Sequence, residues 1–167
     1  MEKVRTTLDA SRAVLVGHDG SDPSGSAVRW AARLAGRLGC PLLVVRTWAL
    51  SSAPRPSSWA AGYVPPLTDF EGAVLQRLQH DIDSLHLPAD VELSCHALHG
   101  PAGRRLVEVS KGAEMLVVGS RGIGGFRGLI LGSTAAQLVG HARCPVVVVP
   151  VTGPDDPPDL DSGLDKP

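Results

Sequence analysis

A chain of 167 residues, 43% hydrophobic and 20% charged, has the length and apolar content of one globular domain with a substantial core. Its formal net charge of −1 argues against general affinity for nucleic acid or for an anionic membrane. Nothing approaches the ~18 consecutive apolar residues of a membrane helix, and the polar N-terminus lacks a signal-peptide core. Cys40, Cys95 and Cys144 are widely spaced and odd in number, which reads as reduced core thiols of a cytoplasmic protein.

Residues 1–11 are polar and are expected to form a flexible end. Ala13–His18 is an apolar run that predicts the first strand, with a turn at 19–23 and Ser24 as N-cap of the helix after it. In that helix Ala27, Trp30, Ala31, Leu34 and Leu38 share one face, and Arg29, Arg33 and Arg37 line a solvated one. Gly39 is placed to cap its C-terminus. Pro41–Thr47 predicts the second strand. Four prolines between Ser51 and Pro66 exclude regular structure there, so 51–66 is an exposed loop. Its Trp59 and Tyr63 either pin it to the body or pack over a ligand.

Leu67, Phe70, Val74, Leu78, Ile82 and Leu85 recur at helical spacing and predict a second helix. Val91–Leu98 alternates apolar and polar residues, as suits a strand at a sheet edge. A third helix follows Gly100-Pro101, with Leu106 and Val109 facing inward. Met115–Val118 is a short apolar run that predicts a strand buried on both faces, and Pro145–Val149 is the last strand. The folded domain therefore spans 12–150. Residues 151–167 are rich in Asp, Pro and Gly and are expected to be a disordered acidic tail. Setting aside Asp155, Asp156, Asp159, Asp161 and Asp165 of that tail leaves a mildly basic body, suited to a small anionic ligand.

Between the Met115–Val118 strand and a helix at Ala135–His141 lies GSRGIGGFRGLILGST, with five glycines from Gly119 to Gly128. Glycines bring backbone N–H groups close to a ligand, and the helix start at Ser133 and Thr134 adds unpaired N–H groups and the positive end of a dipole. That is the layout of a phosphate site. A P-loop lysine is missing, and the dinucleotide fingerprint fails because Arg127 stands where its third glycine belongs. A flexible glycine-rich surface loop is the competing reading.

Five strands alternating with four helices predict right-handed crossovers and a doubly wound α/β fold. With strand order 3-2-1-4-5 the five-stranded parallel sheet is Rossmann-like, with helices on both faces. Its crevice falls between the first and fourth strands, at their carboxyl ends. Asp19 ends the first strand and Gly119 the fourth, so two distant features converge there.

Gly119, Gly122 and Gly132 followed by Ser133 fit G-x2-G-x9-G-S/T. With VLVGHDGSDPSGSAVRWA, HGPAGRRLVEVSKGAEMLVVGSRG and GGFRGLILGSTAAQLVGHARCPVVVV in this order, the chain from about Ala13 to Pro150 resembles the ATP-binding universal stress protein family. The resemblance implies an adenine nucleotide, ATP or else ADP or AMP, with Mg2+ able to accompany it. It puts Gly17, Asp19 and Thr47 on the nucleoside side and has Val118 and Gly119 line the nucleoside. Gly122, Gly132, Ser133 and Thr134 would hold phosphates. Arg121 and Arg127 flank the loop and could neutralise phosphate charge, with a solvent-facing position the equal alternative for Arg127. It also implies a homodimer through the edge strand Val146–Val149, which relieves the exposed sheet edge. Two residues depart from the family pattern. His18 stands where a small apolar residue is common, either as a satisfied strand-end histidine or as a source of pH-dependent affinity. Arg46 stands where a histidine is common.

Other chemistry is disfavoured. Cys95 and His96 are strand neighbours that point to opposite faces, so with His99 they cannot readily grip one metal. A flavodoxin-like site would place Asp19 and Asp22 against a phosphate. Three functions of different class remain: a regulatory nucleotide-binding module, a slow ATPase or phosphotransfer enzyme, and a nucleotide-free interaction dimer, against which the intact glycine spacing argues. With Asp19 the one evident acid, and on the nucleoside side, binding is favoured over turnover.

Overall fold

Apolar residues on both sides of each central strand dictate a sheet covered on two faces. The computed structural model describes residues 3–123 and 131–151. Its elements run β1 (Val14–Gly17), α1 (Asp22–Leu38), β2 (Leu42–Trp48), α2 (Leu67–Asp83), β3 (Leu93–His99), α3 (Ala102–Val109), β4 (Met115–Gly119), α4 (Ser133–His141) and β5 (Val146–Val149). The five strands form one sheet in the order β3-β2-β1-β4-β5, every pairing parallel. Val14 pairs with both Leu42 and Met115, which fixes the register at the sheet centre.

Strand alternation sorts the core into two layers. On one face Leu15, Leu43, Val45, Leu116 and Val118 pack against Leu106 and Val109 of α3 and Leu138 of α4. On the other, Val14, Val16, Leu42, Val44 and Val117 pack against Ala27, Val28, Ala31, Ala32 and Ala35 of α1 and Leu78 and Ile82 of α2. Leu15, Leu42, Leu78, Leu98, Leu116 and Leu138 are fully buried. Each such side chain contributes about 1.5–3 kcal/mol of transfer free energy.

Helix α1 differs from its periodicity in two respects. It begins at Asp22, and Ser21 rather than Ser24 is the N-cap, its side chain accepting from the Ser24 N–H. Proline is tolerated in a first helical turn, so Pro23 belongs to the helix and not to the turn before it. The buried stripe is built of alanines and Val28, whereas Leu38 is 50% exposed. Small side chains let α1 lie close to the sheet. Gly39 caps the C-terminus in the left-handed conformation, at φ 63°.

Where polarity alone predicts a frayed start, residues 3–10 make specific contacts. The Arg5 carbonyl accepts from the His99 N–H at 2.8 Å along the outer side of β3. Arg5 Nη1 lies 3.0 Å from His96 Nδ1, Ala10 is buried, and Leu8 packs against the core. In the 51–66 loop the Trp59 ring stands edge-on to Phe70 of α2 at 5.9 Å and carries the Arg55 guanidinium 5.4 Å from its centre. Trp59 thus ties the loop to α2, and Tyr63 is 52% exposed.

Candidate functional site

The strand order reverses between β1 and β4, and a cleft of about 520 Å3 opens at their carboxyl ends. Gly17, Asp19, Thr47, Val118, Gly119, Arg121, Gly122, Gly132, Ser133 and Thr134 all line it. Val45, Val118, Leu106 and Ala135 make one wall apolar. Gly17 keeps that wall open, because a Cβ there would stand 3.2 Å from Leu106 Cδ1 and 3.3 Å from Val118 Cγ1. An alanine would fill the space a flat ring could use.

The opposite wall is main chain. Gly119 sits so close that a Cβ would stand 3.2 Å from the carbonyl oxygens of both Arg121 and Pro23. Ser120 beyond it is 8% exposed and serves three partners. Its N–H donates to Val149 O, its carbonyl accepts from the Gly132 N–H at 2.7 Å, and its Oγ accepts from the Val151 N–H. Gly132 is thereby drawn to the cleft as N-cap of α4, with no side-chain cap bond. The first-turn N–H groups and the hydroxyls of Ser133 and Thr134 stand at a cleft wall with the positive end of the helix dipole behind them.

Asp19 joins the two walls. Its Oδ1 accepts from the Ser21 N–H at 2.9 Å and from Ser21 Oγ at 2.5 Å, while Oδ2 accepts from the Ile123 N–H at 2.9 Å. Desolvation pushes its carboxyl up, but the Ser21 and Ile123 bonds outweigh it and hold the group below its ordinary value. It is an anchored carboxylate with a donor on each oxygen. Gly122 is required by that carboxylate, since a Cβ there would lie 2.5 Å from Asp19 Oδ2.

Beneath the Asp19 turn, on the α1–α2 side of the sheet, runs a buried polar chain. Arg46 Nη2 donates to His18 Nδ1 at 2.7 Å and to Asp81 Oδ2 at 2.7 Å, and Arg46 Nε reaches His18 O at 3.4 Å. Arg77 Nε pairs with the other Asp81 oxygen at 3.1 Å. A guanidinium has only donors, so Nδ1 is the acceptor and the imidazole proton is on Nε2. Burial first, then the Arg46 charge, lower the His18 pKa from 6.5 to about 4, against the pull of Asp81 and Asp19. His18 is therefore a neutral, satisfied strand-end histidine near pH 7.

The ten residues to which the family resemblance pointed are among those that line the cleft, and Arg127 lies outside the described residues. Ile123 escaped sequence reasoning because it contributes a backbone N–H, for which no residue type is a signal. Val45 was readable, since it lies two residues before Thr47 and shares its strand face. The Arg46–Asp81 pair joins residues 35 apart and left no local trace. Cys95 has its thiol pKa raised by burial to about 11, so it stays protonated. Among the described residues no three His, Cys, Asp or Glu side chains cluster as a metal site, and no helix is long and apolar enough to cross a membrane.

Fold and cleft together define a doubly wound α/β domain with its site at the topological switch point. The universal stress protein family profile matches residues 11–150. A universal stress protein of Mycolicibacterium smegmatis is 35% identical over 144 residues, covering 81% of this chain and 47% of the relative. The chain spans about half the length of the curated relatives it matches. Among solved structures, a universal stress protein in complex with cAMP is 23% identical with a TM-score of 0.58, covering 86% of this chain and 100% of that one. The Archaeoglobus fulgidus universal stress protein in complex with dAMP is 18% identical with a TM-score of 0.53, covering 84% and 98%. The chain belongs to the universal stress protein family.

Proposed function

We propose that the cleft binds an adenine nucleotide, ATP foremost, and that the chain works as a nucleotide-responsive regulatory module of the stress response in the cytoplasm. The observation that carries this reading is the division of one cleft into an apolar wall of strand ends and an amide wall at the start of α4. Asp19 and Thr47 take the ribose and adenine, with Gly17, Val118 and Gly119 packed against the nucleoside. Gly122, Gly132, Ser133 and Thr134 hold the phosphates through N–H and hydroxyl groups, and Arg121 offsets their charge. Two neighbours with this fold are complexes with cAMP and dAMP, which supports an adenine ring in the pocket. Any Mg2+ enters with the nucleotide, held by phosphate oxygens.

Binding without rapid turnover is supported by Asp19, whose two oxygens already have donors and so do not offer a free base. A homodimer through β5 is supported by its place at the sheet edge, where Val146–Val149 are only half-buried. Titration calorimetry of the purified protein with ATP, ADP and AMP tests the assignment, and mass spectrometry of denatured protein identifies any nucleotide carried along. Saturable heat, with ATP tightest, is expected. No heat from well-folded protein with all three overturns it. Light scattering that returns a monomer mass overturns the dimer.

A further inference from the structure

Asp19 can serve a ligand only if the short turn between β1 and α1 holds its carboxylate in place, and on the helix side Ser21 and Ser24 bond that turn from within. Gly20 is in the left-handed region at φ 92°. Asp19 itself is solvent-facing. What lies under the turn is a cation. A Cβ on Gly20 would stand 3.2 Å from Arg46 Nη2 and 4.0 Å from Asp81 Oδ2, so the guanidinium and its carboxylate partner are packed directly beneath the backbone. The guanidinium side chain is 12% exposed and the Asp81 side chain 19%. This arginine does not float on the surface, and its fork is used on both sides. It bonds the ring and approaches the carbonyl of His18 on one side, and it bonds α2 through Asp81 on the other.

We infer that Arg46 is a positioning residue for the nucleoside end of the cleft: strung between Asp81 and His18 beneath Gly20, it fixes the turn that aims Asp19 at its partners. The inference rests on the nucleotide reading for its ligand but not for its geometry. Arg46 projects from the opposite face of β2 to Val45 and Thr47, which line the cleft, so it acts through the turn and not by touching ligand. The chain of contacts runs from α2 through Asp81, Arg46, His18 and Asp19 to the Ile123 N–H on the far wall. One turn of α2 is thus connected to both walls of the site. Lysine is no substitute at such a place, because an ammonium cannot present two separated donors in one plane to His18 and Asp81 together.

Two variants and two readouts test this. Arg46→Met removes charge and donors. Arg46→Lys keeps the charge for Asp81, so the protein remains folded even if the methionine variant does not. The first readout needs no ligand. Native-state hydrogen exchange should show the Ile123 amide exchanging roughly tenfold faster in both variants, about the effect of losing one well-held bond. The Val16 and Leu116 amides of the central strands should be unchanged. The second readout is binding of ATP, adenosine and inorganic tripolyphosphate. Affinity for ATP and adenosine should fall by one common factor of roughly tenfold, and affinity for tripolyphosphate should hold. Wild-type protection of Ile123 in folded Arg46→Lys overturns the inference. So does an equal loss for adenosine and tripolyphosphate, which marks general loosening. If the wild-type protein binds neither ATP nor adenosine, the nucleotide reading falls, while the exchange result still decides the role of Arg46.

Discussion

Lowering the pH from neutrality should weaken the fold through His18. The side chain is 6% exposed, and its Nδ1 is occupied by the Arg46 guanidinium. A proton on Nδ1 would remove that bond and set two cations face to face. The folded chain resists this down to about pH 4, whereas the unfolded chain takes up the proton near the ordinary value of 6.5. Stability from this group is thus complete above the unfolded value and is lost as pH falls toward the folded one. Between about pH 7 and about pH 5 the two values imply a loss of about 2 kcal/mol. His96, lowered by burial and by Arg5, adds a loss of the same sign. Asp19 and Asp81 are held below 3.8, so their stabilisation is lost only in stronger acid. Urea unfolding across this range measures the slope. His18→Asn isolates the contribution, since an amide oxygen can stand where Nδ1 accepts and cannot be protonated there. The variant should show a slope smaller by about 2 kcal/mol over the interval. Equal slopes for wild type and His18→Asn would refute the reasoning.

Gly122→Ala sets a methyl 2.5 Å from Asp19 Oδ2, so the carboxylate must move and release the Ile123 N–H. Nucleotide affinity should fall at least roughly tenfold by calorimetry, while unfolding changes by less than about 1 kcal/mol because the site is at the surface. Leu116→Ala, at a fully buried position in the centre of the sheet, should cost about 3 kcal/mol in denaturant unfolding. A loss below about 1 kcal/mol would mean that the layer between β4 and the α3–α4 pair is not tightly packed.

The fold was legible because its signals are local. Val14, Leu15 and Val16 are apolar without alternation, which marks a strand covered on both faces, and each such run is separated from the next by a helical period or a turn. The cleft was legible for a related reason. Gly119 and Gly122 are needed where backbone approaches backbone or a carboxylate, and such needs leave a spacing. What stayed hidden depends on distant partners. Asp81 is one of several acids on an amphipathic helix, and nothing in its surroundings says that Arg46 lies opposite. Leu38 carries the helical period of α1 but is half exposed, so its burial cannot be read from the period. Ser21 displaced Ser24 as the cap because Pro23 fits inside a first turn, where the dipeptide Asp22-Pro23 reads more readily as a turn.

Ser120 has a consequence for what happens at the rim of the sheet. One buried residue holds Val149 by its N–H, Gly132 by its carbonyl and Val151 by its hydroxyl. The outermost strand and the start of α4 are therefore parts of one lever, with Ser120 as the fulcrum. Were a ligand to draw Gly132 inward, Ser120 would carry that displacement toward the strand that ends at Val149. By reciprocity, anything that stiffens this strand changes the work of filling the cleft by the same amount. Under the proposed function, occupancy of the cleft would in this way be reported on a flank of the molecule that the ligand never touches.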